Sequence, residues 1–176
     1  AYRGLLEHGI DAKNIIVGGD SAGGGLTACL LIALKQERLP QPAGAILLSP
    51  WTDLTNSGQS HQTNASVDPL VKTSDLEQMA ESYLQGADKR NATVSPLFAD
   101  LKHLAPIYVQ VGDAEILLSD SVVFSQRAKE SGVDVKLDVY PNMIHIFPYF
   151  WPMLSEARQA CSQLANFCKE KLELGS

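Results

Sequence analysis

The sequence predicts an α/β fold with a mostly parallel sheet flanked by helices, and two observations carry this prediction. Short apolar runs at 14–18, 43–49 and 106–112 are bounded by glycine or proline, which is typical of buried strands. Segments with helical spacing separate these runs. Since strands that alternate with helices usually pair in parallel, helices are expected on both faces of the sheet.

The first elements are the end of a helix, a strand and a second helix. Residues 1–10 are interpreted as the end of a helix, which stops at the glycine at position 9, and no helix start precedes them. Residues 14–18 then form the first predicted strand. Residues 22–35 are apolar nearly all round, which predicts a buried helix.

The middle of the chain predicts a strand, a long loop and a helix. The run at 43–49 is the second strand, and scattered proline, asparagine and glycine over 50–74 indicate mostly loop. Helical spacing then joins Leu76, Met79, Ala80, Tyr83 and Leu84.

The last part of the chain repeats the alternation. The run at 106–112 is the third strand, and a helix follows from Leu117 to Ala128. Residues 134–141 alternate between apolar and polar, which predicts a fourth strand with one face more exposed. A long helix over 153–172 closes the chain, and all 176 residues are predicted to belong to one domain.

Composition narrows the class of partner. The net charge is −6 and lysine and arginine do not cluster, which argues against nucleic acid or an anionic membrane as the main partner. No apolar run reaches the length of a membrane span. Cys29, Cys161 and Cys168 have no metal-ligand spacing, so neither a metal nor a cofactor is predicted. The odd number of cysteines favours a reducing compartment, and the cytoplasm is the expected location.

The motif Gly19-Asp20-Ser21-Ala22-Gly23 fits the pattern G-x-S-x-G between a predicted strand and a predicted helix. A nucleophile elbow has this context: its serine lies on a strained turn at the end of a strand. A glycine-rich turn of this kind also binds phosphate in other proteins. The G-x-G-x-x-G spacing of dinucleotide-binding loops is absent here, which favours the elbow.

Further reactive side chains follow two other strands. Asp113 and Glu115 come after the third strand, and His145 comes after the fourth. Serine, acid and histidine thus occur in the chain order of the α/β-hydrolase triad. The chemistry needs all three, because the imidazole takes the serine proton and the carboxylate holds the imidazole tautomer. Taken singly, the histidine is also compatible with a structural role and the acids with ordinary loop charges.

Several segments together resemble the hormone-sensitive-lipase family of α/β-hydrolases, in its branch of bacterial-type carboxylesterases and ε-lactone hydrolases. They are GGDSAGGGL, SPWTDLT, VSPLFADL, YVQVGDAEILLSDS and YPNMIHIF, which span nearly the whole chain. The resemblance implies that Ser21 is the nucleophile and His145 the general base. It also implies that the backbone N–H of Ala22 contributes to the oxyanion hole.

The triad acid is left with two candidates. Members of this family often carry Asp-Pro-Leu after the third of these strands, and Glu115 occupies that acid position here, followed by isoleucine and leucine. Asp113, two residues earlier, is the alternative. Asp120 is expected inside the following helix, and a true Asp68-Pro69-Leu70 lies in the long loop, where we interpret it as unrelated to the triad.

The family also carries a His-Gly-Gly loop upstream of the serine that supplies further oxyanion donors, and no such string occurs here. We therefore interpret the chain as the C-terminal part of an α/β-hydrolase domain, without its first strands and cap. Alone it is expected to be weak or inactive, and to associate, for example as a homodimer, through an exposed sheet edge.

The resemblance implies a serine hydrolase that cleaves esters or lactones of small acyl groups through an acyl-serine intermediate. Two alternatives belong to other classes: a binding protein on the same fold, and an inactive fragment. Receptors of this family lack the triad histidine, so the presence of His145 favours the enzyme.

Overall fold

The computed structural model describes residues 1–173. Its strands are β1 (Ile16–Asp20), β2 (Gly44–Leu48), β3 (Ile107–Gly112) and β4 (Val135–Tyr140). Its helices are α1 (Tyr2–Glu7), α2 (Ala22–Gln36), α3 (Ser60–Thr63), α4 (Thr73–Leu84), α5 (Leu118–Glu130) and α6 (Ser155–Lys171).

The four strands form one parallel sheet in the order β1-β2-β3-β4. This confirms the predicted fold class. Every strand therefore runs in the same direction, and the segments that follow the strands gather at one end of the sheet, the carboxyl end of its strands. These segments contain the serine, acid and histidine singled out from the sequence.

Helices cover both faces of the sheet. On one face α2 and α5 contribute Leu31 and Phe124 to a core with Leu47 and Val109 of the sheet. On the opposite face Phe167 of α6 packs against the sheet. The core is apolar because alternate residues of the buried strands point to these two helical layers.

The glycines around the elbow allow close approach between backbones. A Cβ atom on Gly25 would lie 2.1 Å from the carbonyl oxygen of Trp51, and one on Gly19 would lie 2.3 Å from that of Gly23. No side chain fits at such distances. Glycine is therefore required at these positions for the start of α2 to pack against the backbone at Trp51 and against the end of β1. Packing at the turn between β1 and α2 therefore explains Gly19, Gly24 and Gly25, whereas a Cβ atom on Gly23 would meet nothing within 4 Å.

One expectation from the sequence differs from the structure. Leu26 is 57% exposed, so α2 is not buried all round, because the sheet covers only one side of it. The segment 50–74 is mostly loop, as predicted, and it contains the short helix α3 and the start of α4. Within residues 1–173, no helix combines the length and the apolar character that crossing a bilayer requires.

Candidate active site

Ser21 lies on a strained turn between β1 and α2. Its backbone has φ 52° and ψ −120°, a conformation that non-glycine residues rarely adopt. The Ser21 N–H donates to the Leu48 carbonyl at 2.8 Å, and its own carbonyl accepts from the Trp51 N–H at 2.9 Å. The turn is thus fixed to the end of β2, and the strain at Ser21 is held by its surroundings.

Ala22 is the first residue of α2. The first N–H groups of a helix have no intrahelical acceptor, and they lie at the positive end of the helix dipole. An N–H in this position, directly after a strained serine, is suited to bind a developing negative charge on oxygen.

Glu115 and His145 form a buried pair. The Nδ1 atom of the His145 ring lies 2.8 Å from Oε2 of Glu115. The Glu115 residue is fully buried and His145 is 4% exposed. The other carboxylate oxygen, Oε1, accepts from the Gly112 N–H at 2.8 Å and from the Ser49 hydroxyl at 2.7 Å.

These contacts define the tautomer of the imidazole. A carboxylate can only accept hydrogen bonds, so the proton between the two side chains lies on Nδ1 of His145. In the neutral imidazole, the Nε2 atom then keeps its lone pair and can accept a proton from a hydroxyl.

Asp113 is placed differently from Glu115. It is exposed, and its Oδ1 accepts from the backbone N–H of Asn142 at 2.6 Å. This bond ties the loop after β3 to the loop after β4. Of the two candidate acids, Glu115 is the one in contact with the His145 ring.

The structure does not bring all of the predicted site residues into direct contact. In residues 1–173, the Ser21 hydroxyl makes no hydrogen bond to the His145 ring. The segments around Ser21 and His145 are nevertheless neighbours, because the hydroxyl of Tyr149, four residues after His145, lies 3.5 Å from Oδ1 of Asp20, the residue before Ser21. Catalytic hydrogen bonds are often long in the absence of a substrate, and they tighten when it binds.

The loop that carries Glu115 is held by residues that the sequence did not identify. The Asn64 side-chain amide donates to the carbonyls of Asp113 and Glu115, at 2.8 and 2.9 Å. Oδ2 of Asp68 accepts from the Ile116 N–H at 2.9 Å. Asp68, which belongs to the Asp-Pro-Leu string, thus contacts the backbone of the acid loop rather than an imidazole.

A second buried acid–imidazole pair joins Asp120 to His61. The His61 Nε2 atom lies 3.2 Å from Oδ2 of Asp120, and Oδ1 accepts from the N–H groups of Thr52 and Asp53 at 2.9 Å each. Burial raises the pKa of Asp120, and the nearby His61 opposes this rise. As expected, Asp120 lies in the helix that follows β3, and it anchors α5 to the segment after β2.

An apolar cavity of about 180 Å³ opens beside Ala22. Trp51 is 6% exposed and contributes to its wall, so it belongs to both the core and the cavity. Cys29 also lines the cavity, and burial raises the pKa of its thiol to about 11, so the thiol is uncharged at neutral pH. The other lining residues include Leu26, Met79 and Tyr83.

The part of the chain that the structure describes contains no group of three histidine, cysteine, aspartate or glutamate side chains placed to hold a metal ion.

Comparison with known proteins identifies the family. Residues 1–149 match the family described as the alpha/beta hydrolase fold. A solved structure of an esterase from the bacterial hormone-sensitive lipase family is 43% identical and superposes with a TM-score of 0.96 over 98% of this chain and 58% of the other. The chain belongs to the hormone-sensitive-lipase family of α/β-hydrolases.

Curated relatives of this α/β-hydrolase have names that describe ester cleavage. An acetyl-hydrolase from Streptomyces hygroscopicus is 40% identical over 169 residues, which are 96% of this chain and 56% of the relative. An esterase from Acinetobacter venetianus is 41% identical over 170 residues, which are 94% of this chain and 55% of the relative. The chain thus spans a little over half the length of these relatives.

Proposed function

We propose that the protein containing this chain is a carboxylic ester hydrolase that cleaves esters of small acyl groups, including lactones, through an acyl-serine intermediate. The observation that carries the proposal is the buried hydrogen bond between Glu115 and the Nδ1 atom of His145. This pair lies at the carboxyl end of the parallel strands, as does the strained Ser21. Relatives named esterase and acetyl-hydrolase support the same reaction class.

The proposed reaction begins at the Ser21 hydroxyl. Nε2 of His145 takes the Ser21 proton while Oγ bonds to the ester carbonyl carbon. The carbonyl oxygen becomes an oxyanion, which the Ala22 N–H stabilises. The resulting imidazolium is stabilised by Glu115 through the hydrogen bond at Nδ1.

The intermediate then collapses and the enzyme is regenerated. The bond between the carbonyl carbon and the alcohol oxygen breaks, and Nε2 of His145 returns the proton to the departing alcohol. A water molecule next attacks the acyl-serine, giving up a proton to Nε2, and the Ser21 oxygen leaves with that proton. In a lactone the alcohol and the acyl group are parts of one molecule, so the product is a hydroxy acid.

A phosphonylating reagent tests this function directly. We expect a fluorophosphonate to form one adduct on Ser21 of the full-length protein, because an activated serine displaces fluoride from phosphorus. Mass spectrometry of the digested protein locates the adduct. An adduct that forms only elsewhere, with esterase activity lost in parallel, would show that the nucleophile is a different residue.

The apolar cavity predicts a preference for short acyl chains. We propose that it receives the acyl group, because it opens beside Ala22 and its lining is apolar. Each methylene buried there is expected to raise kcat/KM about fourfold, the equivalent of about 0.8 kcal/mol. The small volume limits this gain, so p-nitrophenyl esters between acetate and hexanoate are expected to be the best substrates.

A substitution in the cavity wall distinguishes the acyl group from the alcohol. Cys29→Leu is expected to move the optimum to shorter acyl chains while it leaves the dependence on the alcohol unchanged. Cys168→Leu makes the same change on α6, outside the cavity, and is the control. An optimum at long-chain esters, or a Cys29→Leu effect on the alcohol series only, would contradict the acyl assignment.

A further inference from the structure

Ser49 connects three strand ends at the candidate active site. It is the residue directly after β2, and its N–H donates to the Gln110 carbonyl of β3 at 2.8 Å. Its hydroxyl donates to Oε1 of Glu115 at 2.7 Å. The same hydroxyl oxygen accepts from the Ile146 N–H, directly after the histidine, at 3.1 Å.

The direction of these hydrogen bonds is fixed by chemistry. The Ile146 N–H can only donate, so the Ser49 oxygen is its acceptor. The carboxylate of Glu115 can only accept, so the single Ser49 proton points to Oε1. With Gly112 donating to the same oxygen, Oε1 has two fixed donors and Oε2 is left to His145.

The backbone around this hydroxyl is strained at both ends of the contact. Ser49 has φ 45° and is 1% exposed, and Ile146 has φ 48°, which is rare for a β-branched residue. Such conformations persist only where the surrounding structure holds them, and they concentrate at functional sites. Here the two strained residues, Ser49 and Ile146, are joined directly by a hydrogen bond.

We infer that Ser49 is a positioning residue for the acid–histidine pair: its hydroxyl sets the orientation of the Glu115 carboxylate and the place of the loop that carries His145. This inference rests on the proposed function, because it assigns Ser49 a role in the same reaction. Ser49 does not touch the reacting atoms. Its removal is therefore expected to lower kcat while it leaves substrate binding nearly unchanged.

Two substitutions separate the hydroxyl from the backbone turn. Ser49→Ala removes the hydroxyl and keeps a Cβ atom in the left-handed conformation. Ser49→Gly removes the hydroxyl and relieves the strain, because glycine adopts positive φ freely. In the full-length protein we expect both to lower kcat by about 10- to 100-fold, the range for loss of a hydrogen bond to a charged group, with KM within about twofold.

A matched control is available in the same protein. Ser125 is 1% exposed, and its hydroxyl has no hydrogen-bond partner within residues 1–173. Ser125→Ala therefore deletes an equally buried hydroxyl without breaking a contact, and kcat is expected to stay within about twofold. If Ser49→Gly keeps the wild-type kcat, the role of Ser49 is confined to the backbone turn and the inference is wrong.

A spectroscopic measurement tests the inference without using esterase activity. The Nδ1 proton of His145, held against a buried carboxylate, is expected to give a resolved low-field proton resonance. We expect this resonance to shift or to broaden by exchange in both Ser49 variants, and to be unchanged in Ser125→Ala. An unchanged resonance in a folded Ser49→Gly protein would overturn the inference. A wild-type protein without esterase activity would instead overturn the proposed function, and the resonance would still decide the role of Ser49.

Discussion

Ser21→Ala is expected to lower kcat of the full-length protein by about 10⁶-fold on an acetate ester, the loss that removal of a triad serine causes in serine proteases. Alanine has no oxygen to form the acyl intermediate, whereas the cavity and the Ala22 N–H remain. A residual acceleration of about 10³- to 10⁴-fold over water is expected to remain, because removal of a triad residue leaves the oxyanion donor and substrate binding in place. The measurement is kcat on p-nitrophenyl acetate, with KM where it can still be determined.

The control for Ser21→Ala is an exposed serine on α6. Ser162 is exposed, and within residues 1–173 its hydroxyl bonds only to the Arg158 carbonyl, so Ser162→Ala is expected to keep the wild-type rate. Both variants are compared with the wild type by thermal unfolding. A kcat close to that of the wild type in a folded Ser21→Ala protein would disprove the assignment of the nucleophile.

Glu115→Gln is expected to lower kcat by about 10⁴-fold, as loss of the orienting carboxylate does in a serine protease. The amide has the same shape, but it presents one oxygen and one NH₂ group. Gly112 and Ser49 both donate to Oε1, so the amide oxygen takes that place and the NH₂ group faces Nδ1 of His145. The ring must then carry its proton on Nε2, where it cannot accept one from Ser21.

Asp113→Asn is the matched comparison for Glu115→Gln. Its amide oxygen can still accept from the Asn142 N–H, so the loop contact is kept and kcat is expected to stay within about tenfold of the wild type. Parallel kcat measurements on one ester decide between the two acids. If Asp113→Asn is the more damaging change, the acid of the triad is Asp113 and the tautomer argument fails.

The positions of the strands, their parallel pairing and the placement of reactive residues at their ends could be predicted from the sequence. Both follow from local signals: apolar runs that mark buried strands, and turns that mark where each strand ends. The glycine-rich turn at Ser21 was one such signal. Its strained backbone, and the parallel pairing of β1 with β2, agree with this prediction.

The contacts that hold the acid loop could not be predicted in this way. Asn64 bonds to carbonyls about 50 residues away in the chain, and Ser49 bonds to Glu115 and Ile146 across two other strands. No periodicity encodes such contacts, because they depend on how the loops fold over the carboxyl end of the strands. The role of Asp68 could not be predicted for the same reason. Its loop is far from Glu115 in the sequence, but in the structure Asp68 accepts from the Ile116 N–H, directly after Glu115.

The strand order also affects how this protein should lose activity on heating. Among the described strands, β4 lies at an edge of the sheet and pairs only with β3, and Val139 on it is 43% exposed. Edge elements open with less free energy than the whole domain requires. Since His145 follows β4 and Glu115 follows β3, detachment of this one strand would separate the base from its acid. Thermal inactivation should then begin before tertiary structure is lost, so the midpoint of inactivation is expected to lie below the midpoint of unfolding.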